Sequence, residues 1–508
     1  MNRILRNCIS TRTMILWIFV FIMILSPQPD SNSQNTRGYY PEDWISYTNM
    51  RFVRSIASGF NNVYFGTTEG IMVYDINFEE WLDPMTESDG LPDHNIRMLA
   101  VEPDDSRVYV NTSSGIYMYE TTFKEWSQTD VFPGHLVGDN LSLISNFQKY
   151  IPPVGYHAMS PNLIQDDKLR DYPVVAAARG ENGDIWLGTW GLGVGRIDNY
   201  GIEIDLMNYG LYSSSIHTML KKGEKFYFGG RNQSGAENAL TTWERKENKW
   251  EYYESKYNDR FVSDQINDIE DTDKYIFMAT DFGLVRMDHD GSGFKSYYQP
   301  RNFATDLILS LEYSKGELFI GTDNGMYVMD VKGDSIQFMG GQMVASAAIF
   351  DILAYKDDLW IGSDYGTVRF DSRANKFYRY SSAGGVLLAI TFDVEADTKD
   401  GLWFATEDAV VWMNDRFEEQ ERFYVEAELD GYHPNRILVH ERYLWVATDY
   451  GVYRYDRMKH YWKHFTTADG LIDNMVYDLI LDGDYLWIAT ERGVTRYYWN
   501  NPVRGEDI

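Results

Sequence analysis

Along this chain an apolar and aromatic stretch, a small residue and a polar turn ending in glycine recur together about every forty-two residues, from Val63 to Arg496. Clear copies are Leu359-Trp360-Ile361-Gly362-Ser363-Asp364-Tyr365-Gly366, Leu444-Trp445-Val446-Ala447-Thr448-Asp449-Tyr450-Gly451 and Leu486-Trp487-Ile488-Ala489-Thr490-Glu491-Arg492-Gly493. The first half is apolar at successive positions, which predicts a strand covered on both faces, as between two stacked sheets. The closing glycine predicts a hairpin turn at positive φ. Laid out on residues 444–485, one unit holds strands at Leu444 to Thr448, Val452 to Asp456 and Tyr461 to Thr466. A polar loop and a strand at Met475 to Leu481 complete it. Four strands per unit in tandem predict an all-β fold, a β-propeller of about ten four-stranded blades.

The small residue after the buried strand is Gly66, Gly188, Gly229, Gly321 or Gly362 in five copies and Ala279, Ala405, Ala447 or Ala489 in four. The position therefore demands low volume, as where another sheet approaches closely. The second copy departs, with Asn111 there, and the eighth places Ala409 where the turn glycine stands elsewhere. The last copy lacks an outer strand. Asp43-Trp44-Ile45-Ser46-Tyr47-Thr48, which resembles the outer strand around Tyr461 to Phe465, supplies it and closes the ring. A single ring over residues 38–499 is the expectation. Ten blades exceed the usual four to eight, so two smaller propellers are the alternative. Residues 127–171 form one long irregular insertion with a short helix expected at Leu141 to Tyr150, and residues 500–508 form a polar tail. An insertion of that length reads as a functional loop.

The first 33 residues change the picture. Arg3, Arg6 and Arg12 precede an uncharged apolar run from Met14 to Leu25, with a small-residue site at Ser31 and Ser33. This reads as a secretory signal peptide, with an uncleaved anchor as the alternative, and twelve apolar residues are too few for a membrane span. Cys8, the only cysteine, lies before that run. The exported chain then has no thiol, which excludes disulfides and cysteine-ligated zinc. The formal net charge of −30 makes nucleic acid and anionic membrane surfaces poor partners.

The units resemble the two-component regulator propeller repeat, through the Leu-Trp-Ile-Gly-type strands and turns and the loops Asp89-Gly90-Leu91-Pro92-Asp93-His94-Asn95 and Asp469-Gly470-Leu471-Ile472-Asp473-Asn474. The resemblance spans nearly all of residues 40–498. It implies a propeller of the kind that forms the periplasmic sensing part of hybrid sensor kinases, often for polysaccharide fragments, or that occurs in secretion-associated surface proteins. The sequence holds no kinase and no DNA-binding segment, so the expectation is a stand-alone periplasmic or extracellular propeller.

Six successive copies carry a carboxylate at the first turn position: Asp281, Asp323, Asp364, Glu407, Asp449 and Glu491. Propeller topology sets these turns on one face. There they suit a polyhydroxylated ligand or a divalent cation, or else cap their own turns. Trp190, in the irregular third copy with its three following glycines, is a candidate for stacking on a sugar ring. No catalytic motif and no resident cofactor is called for. The reading is an exported, non-catalytic propeller that binds a carbohydrate or a protein. A lyase or hydrolase at the channel mouth and a scaffold of a secretion or envelope assembly are the alternatives.

Overall fold

The computed structural model describes residues 40–232, 237–341, 343–380 and 385–504. The leader lies outside the described residues. Ten antiparallel sheets follow one another, each of four strands except the third, which has six. We number them as blades 1 to 10: Val53–Trp81, Ile96–Gln128, Asp171–Met207, Ile216–Tyr253, Ile266–Tyr297, Ile308–Phe338, Ile349–Arg379, Thr391–Tyr424, Pro434–Phe465 and Val476–Tyr497. The strand Trp44–Tyr47 pairs with Gly493–Tyr497, Trp44 opposite Tyr497, and so completes blade 10 from the other end of the chain. Trp44 stacks on Tyr497 at 3.9 Å, which fixes that closure with an aromatic pair.

The ten blades do not make one ring. The inner strands of blades 4 to 10 lie side by side in chain order, and that of blade 10 returns to lie against that of blade 4, so the ring closes with seven. The Met219 N–H of blade 4 donates to Asp478 Oδ2 of blade 10 at 2.7 Å across the closure. Blades 1 to 3 form a separate lobe in which blade 3 packs on blade 1 and blade 1 on blade 2. Both expectations were thus partly met: the N-terminal strand closes a ring, and the blades divide between two bodies. The lobe is spliced between Tyr47 and Ile216, and a shared core of Tyr47, Trp487 and Trp243 with Trp81, Trp186 and Tyr209 joins it to the ring.

The small residue behaves as the sequence implied. A Cβ on Gly229 would stand 2.7 Å from Ile266 of the next blade, and one on Gly188 2.7 Å from Val53 of blade 1. The Asp-Gly-Leu loops are caps. Asp89 accepts the Thr86 N–H at 2.7 Å and Asp469 that of Thr466 at 2.9 Å, Gly90 and Gly470 take the left-handed conformation, and Leu91 and Leu471 are buried.

The insertion begins after the outer strand of blade 2 (Glu125–Gln128) and carries a hairpin, Tyr156–Met159 with Leu163–Asp166, that extends blade 3 by two strands. Two 3-10 turns, Leu141–Ile144 and Phe147–Lys149, stand where one short helix was expected. Asn140 caps the first by accepting the Ser142 N–H.

Candidate functional site

Where lobe and ring meet, both crossovers and the insertion converge on a cavity of 380 Å³. Tyr156 and Asp166 come from the inserted hairpin, Arg51 from the outgoing crossover and Tyr212 from the returning one. Tyr252, Tyr253, Glu254 and Tyr257 come from the end of blade 4. Phe261 and Phe294 stack at 5.3 Å and form the apolar floor toward blade 5.

The walls are held by a buried ion-pair network. Arg170 Nε donates to Asp166 Oδ2 at 2.7 Å, and its Nη1 reaches Glu237 at 2.9 Å and Glu254 at 3.2 Å. Tyr172 donates to Asp166 at 3.0 Å, Tyr257 donates to the same oxygen, and Tyr212 donates to Glu254 at 2.6 Å. Lys256 pairs with Glu254 at 2.9 Å. Burial would raise the Asp166 carboxyl, but the backbone and guanidinium bonds of Arg170 outweigh it and hold the group below its usual range. Burial likewise works against Glu237, and Arg170 and Lys256 bring it down to about 2. Burial pushes the Tyr212 and Tyr172 phenols well up, so they stay protonated donors. Arg51 lies 3.5 Å over the Tyr212 ring and donates to Gly191 O at 2.8 Å, pinning the lobe to the crossover.

Chemically this is a surface of aromatic faces and oriented hydroxyl, amide and carboxylate groups. It can stack on a flat apolar face while exchanging hydrogen bonds around its edge. Among the described residues no three His, Asp or Glu side chains are gathered as metal ligands.

The candidates read from the sequence sit elsewhere. Asp281, Asp323, Asp364, Glu407, Asp449 and Glu491 lie on the turn face of ring blades 5 to 10. Asp364 accepts the Ala348 N–H at 3.0 Å and Asp449 that of His433 at 3.1 Å. Asp323 accepts from the Thr305 hydroxyl at 2.6 Å, Asp281 from Ser263, and Glu491 from Ser215 and Tyr477. Each of these five ties a turn to an inner-strand entry loop, while the side chain of Glu407 is exposed. Trp190 stands apart from them in blade 3, edge-on to Phe52 at 5.2 Å, while its neighbours Gly191 and Leu192 line the cavity. The tyrosines of the cavity escaped the sequence reading because three separate segments contribute them. The one local signal was the run Tyr252-Tyr253-Glu254-Ser255-Lys256-Tyr257.

A second opening, of 590 Å³, is the channel of the ring. At the bulge of each inner strand one equivalent residue faces it: Thr218, Asp268, Ser310, Asp351, Asp393, Arg436 and Asp478. Arg436 lies 3.1 Å from Asp393 and 3.5 Å from both Asp351 and Asp478. The carboxylates double as inter-blade clamps: Asp268 accepts the Leu311 N–H, Asp351 that of Val394 and Asp393 that of Ile437.

Two solved bacterial surface proteins share this architecture. PorZ of Porphyromonas gingivalis, described as an essential bacterial surface component of the type-IX secretion system, aligns with a TM-score of 0.51 and 14% identity over 89% of this chain and 69% of its own. The extracellular domain of the putative hybrid two-component system BT3049 from B. thetaiotaomicron aligns with a TM-score of 0.50 and 16% identity over 90% and 69%. No family model matches the chain, and no curated protein matches it. At these identities the likeness is one of fold.

Proposed function

We propose that the protein is an exported, non-catalytic propeller that captures an oligosaccharide in the tyrosine cavity between lobe and ring. The observation that carries this reading is the convergence of both crossovers, the insertion and blade 4 on one aromatic cavity with hydrogen-bonding walls. Export is supported by the leader-like first 33 residues, and a sensing or surface role by the fold shared with PorZ and the BT3049 domain. A second reading, a protein partner on the turn face, is favoured by Phe282, Tyr365 and Tyr450, exposed beside Asp281, Asp364 and Asp449.

Thermal unfolding against a panel of oligosaccharides tests the first reading, since a ligand that binds only the native state raises the midpoint, by about 2.7 kcal/mol at a hundredfold excess over Kd. The expected result is a saturable shift that Tyr253→Ala abolishes and that Asp364→Asn with Asp449→Asn leaves intact. The reverse pattern moves binding to the turn face, and no shift across the panel overturns the cavity reading.

A further inference from the structure

The three blades of the lobe end alike on the side opposite their turns. In each, the hairpin between the third and fourth strands carries an aromatic in solvent: Phe78, Phe123 and Tyr200, which are 77%, 68% and 95% exposed. The same hairpins of ring blades 4 to 8 carry Lys246, Asp290, Lys332, Arg373 and Arg416, all exposed, and blade 9 sets Met458 between Arg457 and Lys459. Single exposed apolar residues are ordinary on a protein surface. An aromatic at the same hairpin in every blade of one body, where the other body carries mostly charge, is a pattern.

The tips are built rigidly. Asp75 Oδ1 accepts the Phe78 N–H at 3.0 Å and Asp198 Oδ1 that of Tyr200 at 2.9 Å, and the Lys124 N–H closes its turn on Glu120 O at 2.8 Å. The residue before each tip is uncharged: Asn77, Thr122 and Asn199. Beside Tyr200 the insertion adds Ile151, whose N–H donates to Ile202 O at 2.8 Å, and both isoleucines are exposed.

We propose that this end of the lobe docks on the interface of an uncharged lipid bilayer. Blade 1 packs between blades 2 and 3 and the three hairpins leave the same end, so topology sets their tips toward one plane. A protein interface needs a contiguous, closely packed apolar core. Three aromatics separated by polar hairpin flanks instead match the bilayer interface, where isolated aromatic rings settle at headgroup depth. The net charge of −30 sets the preference for neutral over anionic headgroups. Nothing in the proposal spans the membrane, and no described helix is long and apolar enough to do so.

Cosedimentation of the chain lacking its first 33 residues with phosphatidylcholine vesicles tests this. The wild type is expected to bind, less so when phosphatidylglycerol is added. A Phe78→Ser, Phe123→Ser, Tyr200→Ser variant is expected to lose at least about tenfold in partitioning, roughly 1.4 kcal/mol. Lys246→Ser with Lys332→Ser, on the ring, is expected to bind as the wild type does. No vesicle binding by the wild type, or equal binding by the triple variant, overturns the proposal, and a protein partner for these tips then becomes the better account. That chain has no other thiol, so an environment-sensitive dye on Phe123→Cys gives a second readout that needs no triple variant. Its emission shifts blue on vesicles if the tip inserts, whereas the same dye on Arg373→Cys does not.

Discussion

Asn111 is the residue at which the sequence departs from its own rule, and the fold gives the reason. Ten copies of the unit make nine blade-to-blade junctions, seven in the ring and two in the lobe. In each, the Gly or Ala after the buried strand faces the inner strand of the following blade, as Gly66 faces Ile96 and Gly362 faces Thr391. Among the described residues blade 2 has no blade after it, and Asn111 stands there, half-buried. Volume is therefore tolerated at one copy and at no other. Gly229→Asn is expected to destabilise by about 1–3 kcal/mol from overpacking, and more if its amide is left without partners. Asn111→Ala is expected to stay within about 0.5 kcal/mol of the wild type, as a surface change does. Urea unfolding midpoints of the two variants check this, and equal losses would mean that the two positions have the same surroundings.

At the scale of elements, the inserted segment does the work of a missing blade. In the lobe as in the ring, a side chain on one inner strand accepts an N–H of the next: Ser55 Oγ accepts that of Leu99 at 3.0 Å. Blade 3 has Ala176 at this position and offers no acceptor. Asp139, from the insertion, supplies one instead, taking the Ile56 N–H at 2.9 Å and the Ser55 hydroxyl at 2.7 Å. Burial raises its carboxyl even so, which marks how far the insertion is drawn in between the strands. Asp139→Ala is expected to cost about 1–3 kcal/mol by leaving the Ile56 N–H unpaired, and Asp139→Asn distinctly less because its carbonyl can still accept. Denaturant unfolding of the pair decides it, and equal effects would assign the loss to packing. These contacts also mark where reading the chain ran out. Strand pairing within a blade is local, so the blades, their turns and the closing strand near Trp44 were legible in the repeat. Which blade neighbours which is decided by contacts far apart in sequence, such as Met219 with Asp478, and no local pattern records them. The same holds for the cavity, whose walls come from Arg51, Asp166, Tyr212 and Glu254, residues scattered over some 200 positions.

For the whole molecule, the seven-blade ring concentrates carboxyls in a channel with one cation to answer them. Arg436 neutralises the aspartate layer, but Glu270, Glu312 and Glu395 also line the channel, two positions further along their strands. Burial, reinforced by Glu312, pushes Glu270 up to about 9. Burial brings Glu312 to about 7, and burial with the Asp393 charge brings Glu395 to about 8. An acid whose folded pKa lies above its unfolded value binds more protons in the native state between the two. Stability therefore falls as pH rises through that interval and is fully present only below the unfolded value, about 4.3 for glutamate. The groups with the opposite sign act elsewhere. Asp93 and Glu237, held near 2, lose their contribution only at strongly acid pH, and His217, lowered to about 4 by burial and Arg231, is already neutral above pH 6.5 or so. Between roughly pH 6.5 and 9 the glutamate layer is thus expected to dominate, and the melting temperature to fall across that window. Glu270→Gln, Glu312→Gln and Glu395→Gln together keep the side-chain carbonyls that accept the Tyr313 and Ala354 N–H groups while removing the titration, so the triple variant is expected to melt at a nearly constant temperature there. A wild-type melting temperature that is flat from pH 6.5 to 9, or one that falls equally in the variant, would show that the channel is wet enough to leave these carboxyls ionised without cost.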